Sequence, residues 1–323
     1  MKLHYAFLGA ALLLAACGGA SDTDIGGGGT DGGGGGGDIP DFVDPGELPV
    51  TGDETCGVFT CSGDVTNITF AAGDESGATQ EDRAADDILT LTGLPFDDDP
   101  EGGVYTYLET RNGFNVYENN TPSVFNRYLA IHQESAGGEM VLGVAAVEGY
   151  QNHGYTGAWY QLLDITTTIP QENLVLYTGS YSGLMTYIGS GDLDQTIGTL
   201  TMEVDFTDSK LKGFITGRSI VNFQGDGPEA LPDLALNDTN IDDGAFSGTV
   251  NSYEGQEVLE SGTYQGFFGG SDASAIGGLV QAFNPDFQVG EEDDLTDDLS
   301  TRDLGVFTGT KIFPVPVPTV SEE

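Results

Sequence analysis

The segment TLTMEVDFTDSKLKGFIT, residues 199–216, decides the fold because apolar and polar residues alternate along it. Alternation with a period of two residues predicts a β-strand with one buried and one solvated face. Residues 207–209 have the composition of a turn, and the strand after them alternates again around Leu211 and Ile215. The segment therefore predicts a β-hairpin that places one face in a hydrophobic core.

Further short strands with the same pattern follow Pro170. With the hairpin counted as two strands, about eight are expected after this residue, and eight antiparallel strands close into a barrel that side chains can fill. The other six are residues 174–188, 233–240, 244–252, 261–268, 276–283 and 304–312. We therefore expect an all-β chain with a roughly eight-stranded antiparallel barrel over residues 169–314 and a disordered tail over 315–323.

The stretch before Pro170 is also rich in strands, although it is less regular. Its clearest strand candidates are residues 86–91, 103–109, 126–132, 140–146 and 158–163. One or two helical turns are expected within residues 80–88. Residues 51–168 are accordingly predicted to be a smaller strand-rich domain that precedes the barrel.

The N-terminus has the pattern of an export signal. Lys2 is followed by an apolar core over residues 5–14, which is too short to span a bilayer, and then by Leu-Ala-Ala and Cys17. This ending resembles the lipobox of bacterial lipoproteins, whose cysteine becomes the first mature residue and carries fatty acyl chains such as palmitate. Residues 1–16 are thus predicted to be a signal peptide and Cys17 the lipidation site, with an ordinary secretory signal as the alternative. Residues 17–50 are glycine-rich and predict a disordered tether.

The composition is strongly acidic, with a formal net charge of -43 from 9 basic and 52 acidic residues. Such a surface repels nucleic acid and anionic lipid headgroups, so that a nucleic-acid partner is not expected and the membrane is reached through the lipid anchor only. A basic partner, bound cations and adaptation to a salty habitat are three explanations that the sequence leaves open.

Three cysteines are present, and two of them, Cys56 and Cys61, enclose only four residues. A small disulfide loop is their expected state in an oxidising compartment. A metal site is the alternative, but it would require further Cys or His ligands nearby, and none occurs.

The C-terminal half resembles the β-barrel domain of transferrin-binding protein B and related surface lipoproteins. The resemblance is carried by Gly266-Phe267-Phe268-Gly269 and by the pair Gly277-Gly278 that follows it, while Gly270 stands where the family has proline. It extends over residues 170–313. It implies a barrel flanked by a smaller handle domain, here residues 51–168, displayed on an outer membrane and engaged in protein recognition.

Enzyme and metal motifs are weak. Gly-Ser-Tyr-Ser-Gly at residues 179–183 has tyrosine where a nucleophile elbow has serine, and His132 and His153 are interpreted as surface histidines because no ligand or triad partner is near. Acidic turns at residues 192–203, 238–243 and 291–298 leave a weak possibility of calcium, with solvated acidic loops as the alternative. No other cofactor is expected.

These features together predict a lipid-anchored outer-membrane lipoprotein, facing the cell exterior, that binds a protein or a protein-carried nutrient without catalysis. A TonB-dependent receptor or a surface-lipoprotein translocator would be a natural partner. The alternatives are a lipocalin-like barrel that binds a small ligand and a structural or adhesive envelope protein. Large side chains throughout the barrel interior would favour protein binding over the lipocalin-like alternative.

Overall fold

The computed structural model describes residues 55–56, 58–63, 65, 67–73, 76–77, 79–93, 103–119, 126–148, 155–166, 170, 174–188, 192–221, 228–287 and 299–312. Four predictions fall outside these ranges: the signal peptide over residues 1–16, lipidation at Cys17, the tether over 17–50 and the tail over 315–323. The described residues form antiparallel strands, one short α-helix and a 3-10 turn over Ser271–Ala273, which confirms the all-β prediction.

The first sheet contains nine strands. They are β1 (Thr55–Cys56), β2 (Phe59–Gly63), β3 (Asn67–Ala71), β4 (Ile88–Thr92), β5 (Val104–Arg111), β6 (Phe114–Glu118), β7 (Tyr128–Glu134), β8 (Met140–Val147) and β9 (Tyr155–Leu162). Their order is β1-β2-β9-β8-β7-β6-β5-β4-β3. We call this sheet the handle. A five-residue helix, α1 (Gln80–Ala84), lies between β3 and β4 and begins with a capping box between Thr79 and Asp82.

The second sheet also contains nine strands. They are β10 (Val175–Ile188), β11 (Leu193–Asp205), β12 (Lys210–Val221), β13 (Glu229–Ala230), β14 (Leu234–Asp242), β15 (Ala245–Glu254), β16 (Glu257–Gly269), β17 (Ala275–Phe287) and β18 (Leu299–Ile312). Pairing of β11 with β12 closes the order β11-β10-β18-β17-β16-β15-β14-β12, while the two-residue β13 pairs beside β12. The expected eight-stranded antiparallel barrel is therefore confirmed.

The hairpin of β11 and β12 shows why this sequence forms the barrel. The apolar members of the alternating run are all buried in the barrel core, together with Leu211 and Ile215 of the returning strand. The polar members of the run face the other side, where Glu203 forms an exposed ion pair with Lys212 at 3.3 Å. Because the exposed pair contributes little, the buried face supplies the stability of this hairpin.

A second apolar core joins the handle to the barrel. Every residue of β8 is buried. Its even-numbered residues from Met140 to Ala146 lie in a cluster with Leu184, Leu279, Leu304 and other side chains of the barrel. Its odd-numbered residues lie in the separate core of the handle, with Trp159 and several tyrosines. One strand thus contributes to two cores, and both sheets belong to one compact unit.

Candidate functional site

Large side chains occupy the barrel interior. Tyr177, Tyr181, Tyr264, Phe268 and Phe307 are fully buried inside the barrel. Several of these rings pack against one another; the ring centroids of Tyr177 and Phe268, for example, lie 5.8 Å apart. The interior of this barrel is a packed core, the arrangement expected to favour protein binding over a lipocalin-like cavity.

The same interior holds a buried cluster of charges centred on Arg218. Its guanidinium donates two hydrogen bonds to the carboxylate of Glu260, from Nη1 at 2.7 Å and from Nη2 at 3.2 Å. Nη2 also donates to Oδ2 of Asp303 at 2.8 Å, and the other oxygen of Asp303 accepts a hydrogen bond from the hydroxyl of Thr196 at 2.8 Å. The three charged side chains come from β12, β16 and β18, so that the cluster connects strands on different sides of the barrel.

Burial and charge together set the protonation of this cluster. Burial alone would lower the pKa of Arg218, but the negative charges of Glu260 and Asp303 outweigh it and raise that pKa above its usual value. Burial raises the pKa of Asp303, and Arg218 opposes this shift. Burial also raises the pKa of Tyr181, with a further contribution from the charge of Asp303. Arg218 therefore stays charged, and its contacts hold the inner wall together rather than presenting a reactive group.

Sequence reasoning did not predict the Arg218 cluster. The only signal was the position of Arg218, Glu260 and Asp303 at inward-facing places in alternating strands. A charged residue at a core-facing position requires a buried partner. Pairing it with the correct partner requires the strand order, because Glu260 and Asp303 lie 42 and 85 residues away in the chain.

The glycine motif that carries the family resemblance lies on the strands of the barrel that face the handle. Its glycines contact aromatic rings of the barrel core and side chains of the handle. A Cβ on Gly266 would collide with the ring of Phe246, and one on Gly278 would collide with the ring of Phe307. A Cβ on Gly277 would lie 2.9 Å from Leu142 of the handle. These three glycines therefore permit close approach of side chains from other strands.

The aromatic members of the motif have the same structural role. Phe267 faces the handle, where its ring centroid lies 4.8 Å from that of Tyr160. Phe268 is buried in the barrel core. Gly269 pairs with Ile165 in an isolated bridge, and Gly270 donates its N–H to the carbonyl of Asp164 at 2.8 Å. The motif builds the joint between handle and barrel.

The interpretation of His132 as a surface histidine is wrong. The side chain is buried in the handle core, where Nδ1 accepts a hydrogen bond from Nε1 of Trp159 at 3.2 Å. Its ring stacks on that of Phe70 with centroids 4.3 Å apart. Burial lowers the pKa of His132 to about 3, so that the imidazole is neutral at physiological pH. The alternation of apolar and polar residues correctly predicted a strand that contains His132, which is β7. Both faces of that strand, however, are buried. His153 lies outside the described residues.

The two predicted cysteine partners lie on the first two strands of the handle. Cys56 is in β1 and Cys61 in β2, where the backbone register places Cys56 opposite Phe59. Cys61 is buried in the handle core. The disulfide between them stays a prediction.

The acidic turns considered for calcium are only partly described. Within the described residues, no group of three or more His, Cys, Asp or Glu side chains is arranged to hold a metal ion. Asp194 instead accepts a hydrogen bond from the hydroxyl of Tyr187 at 3.0 Å. Burial raises the pKa of Asp194, and Asp192 adds to the shift. The turn at residues 291–298 lies outside the described residues.

Large apolar side chains are also exposed on the outer surface, and one group stands out. Tyr253 and Val258 are paired directly across the hairpin of β15 and β16, with exposed fractions of 49% and 50%. Glu254 and Glu257 are the next pair toward the turn. Among the described helices, none is long and apolar enough to cross a membrane.

The comparisons with known proteins found similar solved structures but no family model. No protein-family model matches the chain, and no curated protein matches it. A solved structure of transferrin binding protein B from Haemophilus parasuis Hp5, described as a vaccine antigen, is 12% identical with a TM-score of 0.40 and covers 76% of this chain and 45% of that chain. A transferrin binding protein B from Actinobacillus pleuropneumoniae H49 is 14% identical with a TM-score of 0.34, covering 77% and 99%.

A third match is a crystal structure described as a surface lipoprotein, 13% identical with a TM-score of 0.33, which covers 77% of this chain and 98% of that one. These structures are of the same kind as the family that the sequence resembles, at identities of 12–14%. The chain spans about half the length of the Haemophilus parasuis protein.

Proposed function

We propose that this protein is an outer-membrane lipoprotein, anchored through acyl chains on Cys17 and facing the cell exterior, that binds a protein or a nutrient carried by a protein. The acyl chains supply the membrane attachment, since each buried methylene contributes about 0.8 kcal/mol and two or three chains give a durable anchor. A TonB-dependent receptor or a surface-lipoprotein translocator is the partner class that fits this location.

The packed barrel interior is the observation that carries the binding part of the proposal. A barrel that encloses a small ligand needs an interior lined by side chains that leave room for it. Here the inward positions hold fully buried tyrosines and phenylalanines together with the Arg218 cluster. Recognition on the outer surface suits a macromolecular ligand, because the strand faces and hairpins offer a large area and the core remains intact.

The first experiment tests the anchor and the location. Cells that express the full chain are fed a labelled fatty acid, and the protein should carry the label and partition with outer membranes. The Cys17→Ser variant should lose the label and the membrane association. Degradation of the wild-type protein by protease added to intact cells supports display on the exterior, whereas full protection until the outer membrane is opened would restrict it to the inner leaflet.

The second experiment tests the ligand class. The Cys17→Ser chain without residues 1–16 is used as bait under native conditions, and bound material is analysed by native mass spectrometry. A protein bound with defined stoichiometry, and lost when the bait is denatured, is the expected result. A small apolar molecule that copurifies with the barrel would instead support the lipocalin-like alternative.

A further inference from the structure

Three polar atoms inside the barrel are buried without a hydrogen-bond partner in the chain. Within the part of the chain that the structure describes, they are Nε of Arg218 and the hydroxyl oxygens of Tyr181 and Ser252. The hydroxyl of Tyr181 interacts with Asp303 and Thr196 at close range but outside hydrogen-bond geometry. An unsatisfied polar group in a core costs about 1–3 kcal/mol, so native proteins satisfy nearly all such groups, from the chain or from ordered water.

All three atoms belong to the surroundings of the Arg218 cluster. Nε is part of the guanidinium that binds the carboxylates of Glu260 and Asp303. Ser252 lies directly opposite Glu260 in the pairing of β15 with β16. The hydroxyl of Tyr181 lies beside Asp303, whose charge contributes to the raised pKa of this tyrosine. The unsatisfied atoms therefore surround one charged group and are not scattered through the core.

A pair of glycines lets the polar groups converge on the inner wall. Gly183 of β10 and Gly305 of β18 lie directly opposite each other in the sheet. A Cβ on Gly183 would lie 2.4 Å from Oδ1 of Asp303, 2.5 Å from the hydroxyl of Tyr181 and 2.6 Å from the hydroxyl of Thr196. A Cβ on Gly305 would lie 2.5 Å from the same tyrosine hydroxyl. Because neither strand carries a side chain here, three oxygens come together beside the cluster.

The chemistry of the cluster decides which species can complete it. All four carboxylate oxygens already accept a hydrogen bond, three bonds coming from Arg218 and one from Thr196. A metal ion would have to displace these donors next to a guanidinium, and an anion would be repelled by Glu260 and Asp303. Nε requires an acceptor, whereas a hydroxyl both donates and accepts. Water is uncharged, donates and accepts, and therefore fits all three unsatisfied atoms.

We propose that the barrel interior is a binding site for ordered water, which completes the hydrogen bonds of Nε of Arg218 and of the hydroxyls of Tyr181 and Ser252. An internal water typically makes about three hydrogen bonds to buried groups that the chain leaves unsatisfied. The water extends the Arg218 cluster from β12, β16 and β18 to β10 and β15, so that five barrel strands share one polar network. This inference concerns the core of the barrel and is independent of the proposed function.

The test combines a high-resolution crystal structure with a matched pair of serine variants, both in the Cys17→Ser chain without residues 1–16. The crystal structure should show an electron-density peak for water within about 2.7–3.2 Å of Nε of Arg218. Ser252→Ala removes a hydroxyl that has no partner in the chain. The matched control is Ser182→Ala, because Ser182 is equally buried but accepts a hydrogen bond from Nε2 of Gln195 at 2.8 Å.

If water binds Ser252, the Ser252→Ala variant loses a hydrogen bond and its thermal midpoint should fall by about 2–4 °C. Ser182→Ala should fall by at least as much, because Gln195 loses its acceptor. Without water, Ser252→Ala only removes an unsatisfied group, so its midpoint would stay equal or rise while that of Ser182→Ala falls, and this result would overturn the proposal. The absence of a peak at Nε of Arg218, or a peak that refines as a metal ion, would overturn it as well.

Discussion

The buried imidazole of His132 makes the stability of this protein dependent on pH between about 3 and 6.5. In the unfolded chain the imidazole has a pKa near its usual value of 6.5, whereas burial lowers the pKa to about 3 in the folded protein. Between these two values the unfolded state binds a proton that the folded state does not bind. The free energy of unfolding is therefore complete above pH 6.5 and falls as the pH drops toward 3.

The size of the effect follows from the pKa difference. At pH 5, about 1.5 units below the unfolded pKa, the loss amounts to about 2 kcal/mol, since each unit contributes about 1.36 kcal/mol. This is a large part of the total stability of an ordinary domain. Measurements should stop near pH 5. Below this pH the net charge of the chain approaches zero, since its isoelectric point is about 4.1.

The assay is urea denaturation at several pH values from 8 to 5, followed by the fluorescence of Trp159, the only tryptophan. The matched variant is His132→Gln, whose amide oxygen can still accept the hydrogen bond from Trp159. It should be less stable at pH 8 because the stacking on Phe70 is lost, but its free energy of unfolding should fall less between pH 8 and 5. His153→Gln serves as the control for the other histidine that lies beyond residues 1–16. Parallel pH profiles for the wild-type protein and His132→Gln would refute the reasoning.

Three further perturbations test other parts of the structure. Arg218→Met leaves two buried carboxylates without their cation and should lower the free energy of unfolding by about 3–5 kcal/mol in urea denaturation, whereas a loss below about 1 kcal/mol would mean that the cluster is open to bulk solvent. Gly277→Val forces side-chain atoms against Met140 of the handle and should cost about 1–3 kcal/mol; an unchanged thermal midpoint would contradict the close approach. Mass spectrometry of the non-reduced protein should find Cys56 and Cys61 linked, and two alkylatable thiols in protein isolated from the envelope would exclude the bridge.

The sequence predicted the barrel well, most clearly in strands such as β11 and β12, which have one buried face and one largely solvated face. All eight barrel strands were found, including the 14-residue β10, whose predicted span of 174–188 differs from the observed strand by one residue. The two-residue β13 was missed, as it has no room to show a period.

The handle was predicted less completely, for a physical reason. Strands such as β7 and β8 are buried on both faces, so that the residue pattern of the strand does not distinguish a buried His132 from an exposed one. Strands β1, β2 and β3 are short, and none of them was predicted, nor was β6. The pattern of apolar and polar residues along a strand does not show which other sheet packs against it.

The candidate site could not be predicted, because it depends on contacts between distant parts of the chain. The charge of the sequence was evident, but the position of Arg218 between Glu260 and Asp303 follows only from barrel closure. The exposed Tyr253 lies on an alternating strand of ordinary appearance. Tyr253 is exposed because the pairing with the neighbouring strands β14 and β17 stops before the tip of the hairpin. That depends on the arrangement of the whole sheet and does not follow from the residues of one strand.

The burial of β8 on both of its faces has a consequence for how the protein unfolds. Removing the handle would expose the apolar side chains of β10, β17 and β18 that β8 covers, and removing the barrel would expose the other side of the same contact. At this contact, both sheets present apolar side chains that are buried only against each other. We therefore expect handle and barrel to melt in one cooperative transition, and to be inherited, expressed and degraded as a single folding unit even though the chain forms two separate sheets.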